Sequence, residues 1–371
     1  MLRPLLLFGT RPEAIKMAPL VHEVVRRKTE IAPLVCVSGQ HQEMLAQVTS
    51  HFGIKADIDL GLMRPGQSLA DFTSRAVTAI DGVINRYKPD CVIAQGDTNT
   101  TLSASLAAFF RKVPFIHVEA GLRTGNLNAP WPEEFNRRAI SLATTLHCAP
   151  TASAAQTLLE EGFPADNVRE TGNTVVDALL WTLKNISSEN ILKNPQYRNL
   201  GDRQLVLITG HRRENFGTGL QNICEALSQL AKEFPDVSFV FPVHLNPQVQ
   251  EPVKRLLREA SNILLLPPVP YNEFIWLAHR AVLILTDSGG VQEEAPTLGK
   301  PVLVMREATE RPEAVETGSA ILVGTSRSLI VSSASKILSG KHRPTQGGSS
   351  ANPFGDGHTA TRIIDWVLER C

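Results

Sequence analysis

The sequence predicts an α/β protein built from two Rossmann-like, doubly wound domains. Short apolar runs alternate with amphipathic stretches from end to end, the pattern of βαβ units around a parallel sheet covered on both faces. The 371 residues exceed one ordinary α/β core, so two domains with a cleft between them are expected. The pattern also restarts: after the polar segment Ser187–Asp202, a new apolar run opens at Leu205.

In the first half, Leu5–Phe8 reads as a strand, Gly9-Thr10-Arg11 turns the corner, and Pro12 suits the first helical position. The helix it opens carries Leu20, Val21, Val24 and Val25 on one face. Further strands fit Pro33–Val37, Cys91–Ala94, Phe115–Val118 and Thr145–Cys148, and Val168–Thr174 carries turn chemistry. The second half offers strands at Leu205–Ile208, Ser238–Phe241, Ile263–Leu266, Val282–Leu285 and Val302–Val304, with Gly347-Gly348-Ser349-Ser350 as a loop near the end. The last helix, Thr359–Arg370, places Ile363, Ile364, Val367 and Leu368 on one stripe, which must dock on an apolar surface. The expected domains are residues 1–168 with 358–371, and residues 169–357.

Composition narrows the function. Thirty-seven basic residues against thirty-seven acidic ones leave no net field, which argues against nucleic acid or an anionic membrane as partner. Any anion must be gripped locally. The five cysteines, Cys36, Cys91, Cys148, Cys224 and Cys371, are far apart with no CxxC pair, and read as buried thiols of a cytoplasmic protein. No signal peptide or membrane-length apolar run is evident.

In a doubly wound sheet, ligands bind beyond the carboxyl ends of the strands. There the second half carries Thr286-Asp287-Ser288-Gly289-Gly290-Val291-Gln292-Glu293-Glu294, between a strand and a helix. Two glycines let a ligand approach the backbone, and helix-start amides attract an anion. Glu294, one turn into the helix, is placed to accept both hydroxyls of a ribose. The alternative, that Asp287 and Ser288 only cap the helix, leaves the paired glycines unexplained. Another strand end supplies Thr209-Gly210-His211-Arg212-Arg213-Glu214-Asn215, an imidazole and two guanidiniums suited to a diphosphate leaving as an anion.

The first half answers with Gly9-Thr10-Arg11-Pro12-Glu13-Ala14-Ile15-Lys16, which holds two cations but is not G-x-G-x-x-G. The second strand ends in Ser38-Gly39-Gln40, without the acid that holds a nicotinamide dinucleotide's ribose, so NAD is not expected. Carboxylates that phosphate binding does not require follow later strands: Asp97 after Gly96, Glu119 in His117-Val118-Glu119-Ala120-Gly121, and Glu133 and Glu134 in Pro130-Trp131-Pro132-Glu133-Glu134. Acids beside a cationic clamp suit proton transfer at a sugar carbon, whereas Glu134 reads better as a cap or surface ion pair. His117 and Glu119 lack a third ligand at metal spacing.

With these residues in hand, the chain resembles the non-hydrolysing UDP-N-acetylglucosamine 2-epimerases over its whole length. The motifs are FGTRPEAIKMAPL from Phe8, GDTNTT from Gly96, HVEAGLRTG from His117, WPEE from Trp131, TGHRREN from Thr209, PVHLNP from Pro242, LTDSGGVQEEAP from Leu285 and ERPEAV from Glu310. The resemblance implies the two-domain fold shared with GT-B glycosyltransferases, with the C-terminal helix crossing back to the first domain. It implies reversible conversion of UDP-N-acetylglucosamine to UDP-N-acetylmannosamine for cell-surface polysaccharide, in a homodimer, with no redox cofactor and no metal. It assigns Arg11, Lys16, His211, Ser288, Gly289, Gly290 and Arg311 to the diphosphate, Glu294 to the ribose, and Val269 and Phe274 to the uracil end. Asp97, Glu119 and Glu133 become the catalytic acids, with His211 beside the leaving group.

Some members are regulated by a second molecule of UDP-N-acetylglucosamine, and Gln40, Glu134, Arg212 and His244 lie on motifs tied to that effector. Glu43 stands where such members carry an amide, and Gly66 where they carry a guanidinium, so effector binding stays open. Related activities on the same scaffold are 2-epimerisation of a UDP-diacetamido-uronic acid and sugar transfer to an acceptor.

Overall fold

The computed structural model describes residues 1–39, 42–198, 200–340 and 352–371, with side chains 42–44 left aside. The expected loop Gly347-Gly348-Ser349-Ser350, Gln40 and the Glu43 side chain lie outside the described residues. The chain divides into two compact units, Met1–Ala178 with Phe354–Cys371, and Leu179–Pro353.

The first unit holds a parallel sheet of seven strands: β1 (Pro4–Phe8), β2 (Leu34–Val37), β3 (Ile58–Asp59), β4 (Cys91–Gln95), β5 (Phe115–Val118), β6 (Leu146–Ala149) and β7 (Val168–Glu170). Their order is β3-β2-β1-β4-β5-β6-β7, so the sheet grows outward in both directions from β1 and β4, as a doubly wound Rossmann-like domain does. The central strands are apolar on both faces because helices cover both. Leu5, Leu6, Leu7, Val92, Ile93, Phe115 and Ile116 are fully buried.

The second unit repeats the plan with β8 (Leu205–Thr209), β9 (Ser238–Pro242), β10 (Ile263–Leu266), β11 (Ala281–Thr286), β12 (Val302–Val304) and β13 (Ala320–Leu322). The order β10-β9-β8-β11-β12-β13 places the switch point between β8 and β11. Thr209 pairs with Thr286 there, which brings the TGHRREN and TDSGG turns side by side.

The final helix, Thr359–Arg370, belongs to the first unit. Ile363, Ile364, Trp366 and Val367 are buried, and Arg27 at the end of helix Arg11–Arg26 reaches Asp365 at 2.5 Å. Asp177 accepts from the amides of Thr359 (3.3 Å) and Ala360 (2.9 Å), capping this helix from a distant position.

Three sequence expectations need correction. Val168–Glu170 is an edge strand rather than the start of a turn, because β6 supplies its ladder partners. Val25 is 55% exposed, as the apolar stripe of its helix ends at Val24. Cys36, Cys91, Cys148 and Cys224 are buried thiols, but Cys371, at the chain end, is exposed. The strands β3 and β13 were not expected, being two and three residues long. No described helix is long and apolar enough to cross a membrane.

Candidate active site

In the first unit the turn after β1 is locked by a buried carboxyl. Thr10 caps helix Arg11–Arg26, and Glu13 accepts from the amides of Gly9 (2.8 Å) and Thr10 (2.7 Å) in a capping box. The same carboxyl accepts from Thr101 Oγ1 at 3.0 Å and from Thr98 Oγ1. Glu13 therefore ties the Arg11 turn to the Asp97 turn after β4, although burial pushes its carboxyl up against the pull of these bonds. Gly9 is obligatory here, because a Cβ would lie 1.9 Å from Ser38 Oγ and 2.6 Å from Thr100 Oγ1.

Asp97 is held from several sides. Arg137 Nε donates to its Oδ2 at 2.8 Å, and Asn136 Nδ2 donates to its carbonyl at 2.8 Å. His117 Nε2 donates to the Gly96 carbonyl at 2.8 Å, and burial depresses the imidazole to about 4, so it is a neutral donor. Among the described residues, no group of three or more His, Cys, Asp or Glu side chains is arranged to hold a metal ion.

Glu119, after β5, adopts φ +67°, a left-handed conformation uncommon outside glycine. Its Oε2 accepts from Lys16 Nζ and, at 3.2 Å, from Asn173 Nδ2. Asn173 is buried, and its own amide donates to the Phe354 carbonyl at 2.7 Å. Glu133 is the half-buried first residue of helix Glu133–Ala143. Glu134 is neither the helix cap nor the surface ion pair expected of it. Fully buried, it accepts from the amides of Thr124 (3.0 Å) and Gly125 (3.2 Å) and from Arg137 Nη1 (3.3 Å), closing the loop before its helix. The first unit thus gathers Lys16 with Glu119, and Asp97 with Arg137, while Arg11 is partly exposed at the head of its helix.

In the second unit Ser288 occupies the cap position of helix Gly289–Glu294 without a side-chain cap bond. Asp287 does not cap the helix either. Its Oδ2 accepts from the amides of His211 and Arg212, both at 2.9 Å, and from Asn215 Nδ2 at 3.2 Å. The carboxylate so pins the TGHRREN turn against the TDSGG turn, over a small cavity floored by Phe216, Leu220 and Phe241.

A Cβ on Gly289 would lie 3.8 Å from Arg212 Nη2 and 4.0 Å from Arg311 Nη2, so two guanidiniums flank the backbone of the turn. Arg311 is itself fixed by Glu293 at 2.5 Å. Glu294 is buried, and its Oε1 accepts from Tyr271 Oη at 2.9 Å. Tyr271 opens the helix that carries Phe274, and Val269 precedes it, buried. Ser288, Gly289, Gly290, His211, Arg311 and Glu294 therefore converge on one end of this sheet, as the strand-end rule required.

Sequence reasoning missed Glu13, Arg137, Asn173 and Tyr271 as supports. Two left a trace: Glu13 lies three residues after Thr10, the capping-box spacing, and Arg137 lies three and four residues after two acids, the spacing of neighbours on a helix.

The chain matches the family model described as UDP-N-acetylglucosamine 2-epimerase over residues 23–368. It is similar to the UDP-N-acetylglucosamine 2-epimerase of Yersinia pestis, 48% identical over 372 residues that cover 98% of this chain and 97% of that protein. The Escherichia coli K12 enzyme of the same name is 47% identical over 368 residues, 98% of each chain. Among solved structures, the Neisseria meningitidis UDP-GlcNAc 2-epimerase bound to UDP-GlcNAc superposes with a TM-score of 0.92 at 45% identity, covering 100% of both chains. The Methanocaldococcus jannaschii enzyme in complex with UDP-GlcNAc and UDP gives 0.83 at 32% identity, again over 100% of both. With the motif residues gathered as described, and relatives of this identity over the full length, the chain belongs to the UDP-N-acetylglucosamine 2-epimerase family.

Proposed function

We propose that this protein interconverts UDP-N-acetylglucosamine and UDP-N-acetylmannosamine by inverting C2 of the sugar. The observation that carries the reading is full-length similarity to a solved epimerase bound to UDP-GlcNAc, together with three acids at motif positions that nucleotide binding alone does not need. The C2 proton is too weakly acidic for simple removal. Loss of C2–H while the C1–O bond to UDP breaks gives a glycal and free UDP. Return of UDP to C1 and of a proton to the other face of C2 gives the epimer. Such chemistry needs a base and an acid on opposite faces and strong stabilisation of departing UDP.

The second unit is assigned the nucleotide. Ser288, Gly289, Gly290, His211 and Arg311 take the diphosphate, Glu294 the ribose, and Val269 and Phe274 the uracil. Arg11 and Lys16 of the first unit are assigned to the diphosphate, and Asp97, Glu119 and Glu133 to proton transfer. The assignments of Arg311 and Glu294 are supported by their preorganisation through Glu293 and Tyr271. Homodimerisation and a cytoplasmic setting remain part of the same proposal.

Incubation with UDP-N-acetylglucosamine in heavy water, followed by NMR, tests it. Deuterium is expected at C2 of both epimers. Epimerisation without exchange removes the glycal route. Absence of UDP-N-acetylmannosamine, with turnover of a UDP-diacetamido-uronic acid instead, moves the activity to that substrate.

A further inference from the structure

We infer that Asp287 is the positioning residue of His211: it holds the imidazole with the proton on Nδ1, so that Nε2 captures a solvent proton when the substrate diphosphate binds. This rests on the assignment of His211 to the diphosphate.

The geometry divides the Asp287 carboxylate into two unequal oxygens. Oδ2 is saturated by three donors, the His211 and Arg212 amides and Asn215 Nδ2. Oδ1 is buried with no hydrogen-bond partner among the described residues, and the carboxylate is 1% exposed. Such an oxygen is costly unless a donor reaches it. His211 Nδ1 lies 3.3 Å away, within ion-pair range and short of a well-aligned hydrogen bond. A small rotation of the ring would satisfy Oδ1 with Nδ1–H and aim Nε2 away from Asp287. In the neutral ring that tautomer leaves a lone pair on Nε2, which repels a phosphate oxygen. One proton taken from water turns it into an N⁺–H donor, with Asp287 balancing the charge.

The surroundings direct this proton to His211. The His244 ring stacks on His211 with centroids 5.7 Å apart and planes at 22°, and it opposes a charge on His211. His244 Nδ1 accepts from the Asn246 amide at 3.2 Å, which fixes that ring beside His211. Of the charged groups on His211 within this unit, Arg212 opposes protonation and Asp287 favours it, while Arg306 is neutralised by Glu214 and Arg311 by Glu293. Burial holds His211 below its ordinary range in the free protein, with Asp287 pulling the other way, so the ring is poised to charge only when a dianionic ligand arrives.

The test is calorimetric titration of the full chain with UDP-N-acetylglucosamine near pH 7.5, in two buffers of different ionisation enthalpy. Wild type is expected to take up on the order of one proton per bound ligand. In Asp287→Asn the amide carbonyl can still accept the three Oδ2 donors, but the amide NH₂ faces Nδ1 and selects the opposite tautomer. Uptake should vanish and kcat fall about 10²-fold or more, with the dissociation constant altered less than about threefold. His211→Gln should also lose the uptake. Binding to wild type without proton uptake, or unchanged uptake in Asp287→Asn, overturns the inference.

¹⁵N NMR of the wild-type imidazole keeps the inference decidable if the variant does not fold. The free protein should show Nδ1–H with an unprotonated Nε2, and the opposite tautomer sinks the idea. If the ligand does not bind at all, the substrate assignment fails, while the ¹⁵N spectrum of the free protein still decides the role of Asp287.

Discussion

Arg137 Nε donates to Asp97 Oδ2 at 2.8 Å while Arg137 Nη1 reaches the buried carboxylate of Glu134 at 3.3 Å. One guanidinium thus serves a structural acid and a candidate catalytic acid, and the structural one fixes where the other points. Asp97→Asn should abolish turnover with UDP binding retained. Arg137→Met should lower kcat about 10²-fold, with UDP affinity within about threefold of wild type. Wild-type kcat in either variant, measured under saturating substrate, would remove the residue from the proton-transfer machinery.

Tyr271 should tune ribose recognition through Glu294. Its hydroxyl supplies a hydrogen bond to a buried carboxylate, an interaction that contributes roughly 1.5–3 kcal/mol. Tyr271→Phe keeps the ring and removes only the donor. The expected outcome is a drop of about tenfold or more in kcat/KM for the ribonucleotide substrate. Preference over the 2′-deoxyribose analogue should narrow as well; unchanged preference would free Glu294 from the ribose.

Two buried histidines set an acid limit on stability. Burial depresses His117 to about 4 and His147 to about 3, so both are neutral in the fold, whereas in the unfolded chain each binds a proton below about 6.5. Between these limits the unfolded chain holds more protons, so stability rises with pH and is lost as pH falls from 6.5 toward 4. His147 packs against Phe163 with ring centroids 4.6 Å apart, a site that suits an aromatic ring. His147→Phe should flatten the dependence of Tm on pH between 6.5 and 4; an unaltered slope would mean that His147 is protonated in the native state.

Gly9→Ala should cost about 3 kcal/mol or more, because the new methyl meets the Ser38 and Thr100 hydroxyls across the sheet. Thermal unfolding reads this directly. A loss under about 1 kcal/mol would show that β1 and its turn can shift to make room.

The sequence alone determined the alternation of strands and helices, the final helix at Thr359–Arg370, and the strand-end motifs to which the nucleotide is assigned. These signals are local: apolar period, turn residues and glycine lie within a few positions of one another. What joins the motifs is not local. Glu13 reaches Thr98, Asn173 reaches Glu119, Arg137 reaches Asp97, and Asp287 reaches His211, across separations of 85, 54, 40 and 76 residues. The tertiary structure decided these pairings because strand order, not chain order, sets which turns are neighbours. The sheet places β1 beside β4 and β8 beside β11, and a buried carboxyl then takes whichever donors the adjoining turn presents.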